Sequence, residues 1–386
     1  CMADAELADL LDSAEAARAD LNPWQNCNLT EMRLRWSHAN ALPADLVAAL
    51  SNAAANCEMV WREARASSDF AAFCRAFEPL LVLVREKAAA KSAALGLAPY
   101  DALIDGYDPG FRSAEIDGIF ADLGIFLPEF LAQVLEKQAR DAAPLQPDGP
   151  FPIARQRALS QTLMEKIGFD FAHGRLDESH HPFCGGVSED VRITTRYDES
   201  DFASSVMAVL HETGHALYER GLPTDWRNQP VGEARSMSLH ESQSLLMEMQ
   251  ACRSAEFFQF AAPLMRDAFD HPGPEAADVF APENLHRMAV HVAPGFIRVD
   301  ADEVTYPAHI MLRYRLEKAM IAGDLQAPDI PDAWQQGMQE FLGLTPDNHA
   351  EGCLQDIHWA CGDVGYFPSY TLGALIAAQL FDCASR

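Results

Sequence analysis

Hydrophobic side chains recur along most of the chain at the three- and four-residue spacing of an amphipathic helix. In residues 42–65, one face carries Leu46, Leu50, Ala53, Cys57, Val60 and Trp61. The next such stretch follows Asp69, a suitable helix N-cap, and stops at Gly96, a common helix terminator. The same spacing returns in residues 113–123, 128–142, 152–167, 202–220, 237–258, 303–322 and 362–384. The pattern therefore predicts a mainly α-helical fold.

Residues 190–198 have a different pattern, because their side chains alternate with a period of two and are rich in β-branched types. One face would carry Val191, Ile193, Thr195 and Tyr197, and the other would carry Arg192, Thr194 and Arg196. This alternation predicts a short strand with a cationic face. A solvated edge strand is the alternative interpretation, since charges often protect the edges of sheets.

The overall charge restricts the classes of partner. The 386 residues include 29 basic and 57 acidic side chains, which give a formal net charge of -28. Such a surface repels nucleic acid and anionic lipid. No apolar run approaches the roughly 20 residues of a membrane span. We therefore expect neither a nucleic-acid partner nor a membrane partner.

The cysteines and the first residues indicate the compartment. Nine cysteines are scattered without a CxxC pair, which is not the pattern of a secreted disulfide framework. The acidic beginning of the chain lacks the basic and apolar regions of a signal peptide. We expect a cytoplasmic protein. The chain contains no internal repeat, and the proline-rich residues 143–152 are the best candidate loop or linker.

The sequence His-Glu-Thr-Gly-His at residues 211–215 is a candidate metal site within a predicted helix. Because residues four apart share a helix face, His211 and His215 can both direct a ring nitrogen at one Zn²⁺, while Glu212 reaches the water that the metal activates. The alternative is a pair of exposed histidines on an amphipathic helix.

A catalytic zinc ion requires three protein ligands and one open position. A third histidine six residues after the second, as some zinc proteases have, is absent because that position is Gly221. The next strong helical segment offers Glu233, Glu241 and Glu248 as candidates. Spacing alone leaves all three open.

Five further motifs accompany the histidines. They are His181-Pro182-Phe183; Asp190, Arg192 and Thr194; His240-Glu241-Ser242; Ile297, Arg298 and Asp300; and Gly352, Gln355, Asp356, His358 and Trp359. In this order they resemble the carboxypeptidase Taq family of thermostable metallocarboxypeptidases. The resemblance implies a multi-helix metallopeptidase fold with a deep substrate groove and a small β-sheet near the helix of the metal-binding histidines. It also selects Glu241 as the third metal ligand and implies a homodimer.

The resemblance is dense over residues 99–381 and weaker before them. It implies a single peptidase catalytic unit spanning residues 1–386. Members of the family normally have more helical chain at both ends, so the chain is expected to be a shortened version of the family.

The function implied by the resemblance is that of a zinc-dependent carboxypeptidase, which releases single amino acids from the C-terminus of peptides. Zn²⁺ is the expected cofactor, with Co²⁺ or another divalent metal as an alternative. Glu212 is the expected general base. A substrate with a free C-terminal carboxylate calls for a bidentate arginine. Arg298 is the first candidate and Arg192 the second, and the alternative for Arg298 is an ion pair with Asp300 or Asp302.

The remaining motif residues have less specific expected roles. His358 and Tyr366 are candidate hydrogen-bond donors to the oxyanion of the reaction, although buried core residues of these types are equally common. His181, Thr194 and Gln355 are candidate substrate-binding residues.

Two other functions fit the same motifs. One is a metal-dependent oligopeptidase that cuts peptides internally, since the same metal chemistry serves both reactions. The other is a catalytically inactive helical peptide-binding protein, for which a broken ligand set would be the signature. The preferred C-terminal residue cannot be read from the sequence.

Overall fold

A computed structural model describes residues 4–179, 182–269 and 278–386. The chain divides into two compact units. Unit 1 comprises Cys1–Ala132, Asp225–Ser236 and Ala293–Tyr370, and unit 2 comprises Gln133–Thr224, Met237–Val292 and Thr371–Arg386. The expectation of a single catalytic unit stays a prediction.

Helices dominate the described residues, which confirms the mainly α-helical fold. They are α1 Ala5–Ala16, α2 Pro23–Asn40, α3 Ala44–Ser67, α4 Phe70–Leu95, α5 Pro99–Ile104, α6 Ser113–Gln138, α7 Ile153–Lys166, α8 Phe202–Gly221, α9 Met237–Leu245, α10 Ala255–Phe269, α11 Pro282–Ala289, α12 Tyr306–Ala322, α13 Ile330–Leu342 and α14 Pro368–Ser385. Asp69 caps α4 by accepting the backbone N–H of Ala72 at 2.9 Å, and Gly96 ends that helix in a left-handed conformation. Both were expected from the sequence.

The prediction of two helices on either side of Pro128 was wrong, because α6 runs through this proline. A proline inside a helix removes one backbone hydrogen bond. The side-chain pattern nevertheless continues, and the rings of Phe126 and Phe130 stack across it with centroids 4.9 Å apart. The helix therefore continues through Pro128, as the periodicity of the apolar side chains on both sides of it indicates.

The prediction of one helix over residues 237–258 was also wrong. After α9 the backbone widens into a π-helix at Leu246–Ala251, and α10 starts only at Ala255. The N–H of Cys252 returns to the carbonyl of Met247 at 2.8 Å, which closes the wide turn. Single π-helical turns are frequent at functional sites.

The last helix starts at Pro368 rather than at residue 362. Gly362 and Gly365 have φ angles of +73° and +97°, which interrupt a right-handed helix. The apolar periodicity of the sequence does not reveal this interruption.

Unit 2 contains a three-stranded sheet formed by β1 Gly174–Glu178, β2 Phe183–Val187 and β3 Asp190–Thr195 in the order β1-β3-β2. Strand β3 pairs in parallel with β1 and antiparallel with β2, so it is central. The edge-strand interpretation was therefore wrong. The alternation is confirmed at Val191, Arg192 and Ile193, which are buried, exposed and buried, but Thr194 of the predicted polar face is buried as well.

Helix α8 lies between two apolar clusters of unit 2. Val206 and Leu210 belong to the cluster that contains Leu163 of α7 and Phe258 of α10. On another face, Val209 and Ala216 pack with Val191 and Ile193 of the sheet. Tight packing on two faces holds α8 in place and leaves a third face for polar side chains.

Unit 1 encloses a buried carboxylate. Glu317 of α12 accepts hydrogen bonds from the hydroxyl of Tyr100 at 2.8 Å, from Nε1 of Trp359 at 2.9 Å and from the N–H of Gly365 at 2.9 Å. Burial raises the pKa of Glu317 to about 7 against the effect of these donors. The carboxylate thus links α5, α12 and the segment before α14.

Helix α6 is long and apolar enough to cross a membrane by length and composition, which the sequence analysis did not anticipate. Only 11% of its apolar window is buried. Ile125 and Phe126 are 79% and 54% exposed. Length and composition alone make α6 a candidate span, and its apolar side chains are largely exposed among the described residues.

Candidate metal centre and catalytic residues

Helix α8 places two histidine rings next to each other in unit 2. His211 and His215 are one turn apart, and their ring centroids are separated by 5.0 Å at an interplanar angle of 83°. The helix begins at an N-cap, Asp201, whose carboxylate accepts the backbone N–H groups of Ala203 and Ser204. The side chains are therefore presented by a capped and well-packed helix.

Gly214, between Glu212 and His215, lets α9 come close to the histidines. A Cβ atom added to Gly214 would lie 2.4 Å from the backbone oxygen of Gln243 and 2.7 Å from Cα of Ser244. Real Cβ atoms essentially never make such contacts, so the close crossing of α8 and α9 requires glycine. Thr213 is buried and donates its hydroxyl to the carbonyl of Val209 at 2.6 Å.

The crossing brings Glu241 of α9 to the histidine pair. Its Oε1 lies 3.9 Å from Nε2 of His211, and its Oε2 lies 3.4 Å from Nε2 of His215. The three ligand atoms lie within 4.8 Å of one another, which is close enough to hold one metal ion. Gly373 of α14 leaves room for Glu241 on the other side, since an added Cβ would lie 2.9 Å from Cβ of Glu241.

The two other glutamates that spacing left open have different partners. Glu233 belongs to unit 1, where it forms an ion pair with Arg35 at 2.7 Å. Glu248, in the π-helix, accepts from Nδ1 of His211 at 2.9 Å and pairs with Arg253 at 2.7 Å. Glu248 therefore contacts the ring nitrogen of His211 that faces away from Glu241.

The charges of this cluster shift the pKa values of its members. Burial raises the pKa of Glu212 to about 7, with His211 opposing and Glu241 adding to the shift. Burial would lower the pKa of His211, but Glu241 and Glu248 raise it to about 10. Burial alone would raise the pKa of Glu248, but His211 and Arg253 lower it to about 2. Glu212 is thus the carboxyl group of the cluster whose pKa lies near neutrality, as a general acid or base requires.

Arg298 lies in unit 1 and is 7% exposed. Its Nε and Nη2 contact Oδ1 of Asp356 at 2.9 Å and 2.8 Å, and its guanidinium lies 4.7 Å from the ring centre of Tyr370. The alternative role for Arg298 was an ion pair with Asp300 or Asp302; an ion pair is present, but its partner is Asp356. Asp302 instead accepts hydrogen bonds from the N–H and the hydroxyl of Thr305, the residue that precedes α12.

Asp356 forms ion pairs with two arginines at once. Its Oδ2 lies 2.6 Å from Nη2 of Arg313, which is fully buried. Burial would raise the pKa of Asp356, but Arg313 and Arg298 hold it well below its usual range. Arg298, Arg313 and Asp356 together therefore carry a net charge of +1.

Gln355 holds the backbone before and at Arg298. Its Oε1 accepts the N–H of Arg298 at 2.8 Å, and its Nε2 donates to the carbonyl of Phe296 at 2.9 Å. The same amide also reaches the carbonyls of Glu351 and Gly352. These contacts favour a role in positioning Arg298.

His358 and Tyr366 lie in the same aromatic cluster of unit 1, with ring centroids 5.6 Å apart. Nε2 of His358 lies 3.2 Å from the hydroxyl of Tyr370. Burial lowers the pKa of His358 to about 4, and Arg298 and Arg313 contribute in the same direction while Asp356 opposes them. The ring is therefore neutral at pH 7 and retains an N–H donor.

Two other predicted substrate-binding residues, Arg192 and Thr194, lie in β3 of unit 2. Arg192 is exposed and pairs with Asp190 at 2.6 Å, which accounts for the spacing of these two residues in one motif. Thr194 contacts the hydroxyl of Ser179 at 3.2 Å. His181 lies outside the described residues.

Sequence reasoning missed the groups that contact the candidate metal ligands and Arg298. Asp356 stands within a recognised motif but received no role, and Glu248 was considered only as a metal ligand. Glu219 contacts the ring of His240. Its position four residues after His215 was a usable signal for a shared helix face.

Comparisons with known proteins show the family to which the chain belongs. The sequence profile of the family described as "Carboxypeptidase Taq (M32) metallopeptidase" matches residues 1–386. Thermostable carboxypeptidase 1 of Thermus thermophilus is 39% identical over 394 aligned residues, which cover 99% of this chain and 76% of that protein. Thermostable carboxypeptidase 1 of Pyrococcus furiosus is 34% identical over 381 residues, covering 97% of this chain and 74% of that protein.

The solved structure of Trypanosoma cruzi metallocarboxypeptidase 1 matches with a TM-score of 0.95 and 43% identity, covering 99% of this chain and 76% of that one. The M32 carboxypeptidase from Deinococcus radiodurans matches with a TM-score of 0.90 and 34% identity, with the same coverage. The chain thus spans about three quarters of the length of these relatives. It belongs to the carboxypeptidase Taq (M32) family of metallopeptidases, and it is a metallocarboxypeptidase.

Proposed function

We propose that this carboxypeptidase is zinc-dependent and that His211, His215 and Glu241 hold its metal. The observation that carries the proposal is the convergence of two Nε2 atoms and one carboxylate within 4.8 Å. Two imidazoles and one carboxylate form a common ligand set for catalytic zinc and leave a fourth position open. The same donors suit Co²⁺ and other divalent ions, so metal analysis decides the identity.

Zn²⁺ held by these ligands supplies a Lewis acid and lowers the pKa of a water molecule toward about 7. Glu212, adjacent to His211 and largely buried, accepts the proton of the attacking water. It then returns this proton to the nitrogen of the leaving amino acid. A pKa of Glu212 near 7 suits both transfers.

We assign recognition of the C-terminal carboxylate of the peptide to Arg298. The excess positive charge of Arg298, Arg313 and Asp356 supports this assignment, because a buried cation favours an anionic partner. Arg192 is the second candidate. Its exposure and its pairing with Asp190 support the assignment less well.

His358 and Tyr366 are the proposed hydrogen-bond donors to the oxyanion that develops on the scissile carbonyl. The neutral state of His358 supports this role, since a neutral imidazole still donates one N–H. His181, Thr194 and Gln355 remain proposed substrate-binding residues. The contacts of Gln355 make its contribution an indirect one, through the backbone of Arg298.

The test is a panel of peptides, each with a free and an amidated C-terminus, incubated with purified protein of measured metal content. We expect release of single C-terminal amino acids from the free peptides, loss of this release on chelation and its recovery with Zn²⁺. Internal fragments from both forms would instead indicate an oligopeptidase. Metal-loaded protein that binds peptides without cleaving them would indicate a peptide-binding protein.

Two variants assign the arginines. Arg298→Ala should lower kcat/KM for the free peptide roughly 10- to 150-fold, the range expected for a hydrogen bond to a charged group. The amidated peptide should be little affected, so the ratio between the two substrates falls. Arg192→Ala is the matched control and should leave that ratio unchanged. The reverse result would transfer carboxylate recognition to Arg192.

We also propose a cytoplasmic location and a homodimer. The described cysteines are free thiols, which supports a reducing compartment. The homodimer follows from the family resemblance, and light scattering of the purified chain measures it. A monomer at all accessible concentrations would contradict it.

A further inference from the structure

His240 of α9 connects a metal-binding histidine to a carboxylate. Its Nδ1 lies 2.6 Å from Nδ1 of His215, and its Nε2 lies 2.8 Å from Oε1 of Glu219. All three residues belong to unit 2. Together they form a continuous hydrogen-bonded chain that starts at the metal centre.

The contacts of the three side chains are consistent with a single arrangement of protons. Nε2 of His215 faces Glu241 at 3.4 Å and is therefore the nitrogen available to a metal. An imidazole that binds a metal through Nε2 carries its proton on Nδ1. That proton can be donated to Nδ1 of His240 only if this atom is unprotonated. His240 must then carry its own proton on Nε2, which it donates to the carboxylate of Glu219.

The residues of this hydrogen-bonded chain are held in place by two helices. His215 and Glu219 are one turn apart on α8, and His240 enters from α9 beside them. The ring of His240 lies 4.6 Å from the ring of His215. The ring of Tyr218 meets His240 edge-on at 5.2 Å. His240 is therefore restricted in rotation, and its two nitrogens keep their separate partners.

The outer end of the chain opens to a cavity. Glu219 and His240 line a cavity of about 90 Å³ together with Cys184, Gly185, Gly186 and Val191. The side chain of Glu219 is 29% exposed, whereas that of His240 is 15% exposed. The partly exposed carboxylate of Glu219 accepts the hydrogen bond of Nε2 of His240.

The two metal-binding histidines are thus supported differently. His211 donates directly to the carboxylate of Glu248. His215 reaches its carboxylate through the ring of His240. Partners of this kind fix the tautomer of a metal-binding histidine and increase its basicity.

We propose that His240 and Glu219 are positioning residues that hold His215 in the tautomer that binds the metal through Nε2. This inference rests on the metal site of the proposed function. It assigns neither residue a direct contact with the metal or the substrate.

The first test measures the dissociation constant of Zn²⁺ by competition with a chelator. Glu219→Ala and His240→Leu should each weaken zinc binding roughly 10- to 100-fold, the range typical of such supporting partners. His240→Asn, which keeps an acceptor at the position of Nδ1, should recover part of the affinity lost in His240→Leu. Glu165→Ala on α7 and His286→Leu on α11, in the same unit, are matched controls that should bind zinc normally.

The second test reads the tautomer directly. Nitrogen-15 spectra of histidine-labelled protein, with the signal of His215 assigned through His215→Ala, should show His215 protonated on Nδ1 in the wild type before metal addition. His240→Leu should give a mixture of tautomers in the protein before metal addition. A purely structural role of His240 would change the thermal unfolding temperature without changing this signal.

Three outcomes are distinguishable. Wild-type zinc affinity in Glu219→Ala and His240→Leu would overturn this inference while leaving the metal site intact. Equal affinity in the wild type and in His215→Ala would overturn the metal site, and this inference with it. Weaker zinc binding together with a shifted tautomer supports the inference.

Discussion

The carboxylate of Glu248 lies 2.9 Å from Nδ1 of His211, on the side of the ring opposite Glu241. The π-helix at Leu246–Ala251 carries Glu248, and Arg253 fixes its other oxygen at 2.7 Å. The two glutamates therefore have different relationships to one imidazole. Glu241 faces the nitrogen available to a metal, whereas Glu248 accepts the proton of the other nitrogen.

This difference predicts different consequences of removing each charge. Glu248→Gln keeps an acceptor for His211 but loses the negative charge, so zinc affinity should fall roughly tenfold. Glu241→Gln removes a ligand and should reduce the affinity much further. Glu233→Gln is the control, because sequence spacing made it an equal candidate while the structure pairs it with Arg35. Chelator competition measures the zinc affinity of all three variants. A larger loss of affinity in Glu248→Gln than in Glu241→Gln would make Glu248 the ligand and Glu241 the supporting acceptor.

Glu212→Gln should separate metal binding from turnover. The amide has nearly the same size and contacts, but it cannot accept a proton from water. We expect a normal zinc content and a loss of roughly 10²- to 10⁴-fold in kcat, the range of general acid–base catalysis. Elemental analysis and amino-acid release measure the two quantities. Wild-type turnover in this variant would exclude Glu212 as the general base.

Asp356 should be more important for stability than Arg298. Asp356→Asn leaves the buried guanidinium groups of Arg298 and Arg313 without their shared counterion, and breaking a buried ion pair costs about 3–5 kcal/mol. Arg298→Ala still leaves Arg313 paired with Asp356. Urea denaturation should therefore show a smaller loss of unfolding free energy for Arg298→Ala. Equal losses would mean that Arg313 does not retain the pair.

Glu317 should make the stability depend on pH in a predictable direction. Its pKa is about 7 in the folded chain, against an ordinary value of 4.5, mainly because of burial. The folded state therefore keeps the proton over a range in which the unfolded state has lost it. The stabilisation is complete below pH 4.5 and is lost as the pH rises through about 7, by about 3 kcal/mol.

The variant Glu317→Gln removes this titration. The side-chain amide of Gln cannot accept hydrogen bonds from all three donors in the same geometry, so the variant is less stable than the wild type at every pH. The informative quantity is the difference in unfolding free energy between wild type and variant, measured by urea denaturation at pH 5 and pH 8. This difference should shrink toward pH 8. A constant difference would show that Glu317 is ionised throughout this range.

The helices and the histidine pair could be predicted from sequence because both depend on spacing along a single element. Phe202 to Gly221 reads as an amphipathic helix, and His211 and His215 share a face in any such helix. The π-helix and the continuous α6 could not be predicted in this way. Each depends on how backbone hydrogen bonds are arranged around one residue, and apolar periodicity does not report that arrangement.

Pairings between distant residues were the hardest to predict. Spacing could not select Glu241, and the family resemblance was needed to prefer it over two neighbours. The counterion of Arg298 was sought nearby in the chain, at Asp300 or Asp302, but Asp356 fills that role. The segments that carry Arg298 and Asp356 meet only in the folded unit, so local sequence contains no signal for their contact.

Gly214 shows that a catalytic motif can also carry a requirement for helix packing. Within a helix, glycine is less favourable than alanine by about 1 kcal/mol, so Gly214 lowers the local helix propensity of α8 at the fourth position of the proposed metal-binding sequence. The glycine allows the close approach of α9, because Gln243 and Ser244 occupy the space that a side chain at this position would fill. A motif search treats this position as interchangeable. Transplanting the two histidines and Glu212 into another helical scaffold would therefore transfer the reactive groups but not the spacing that delivers Glu241.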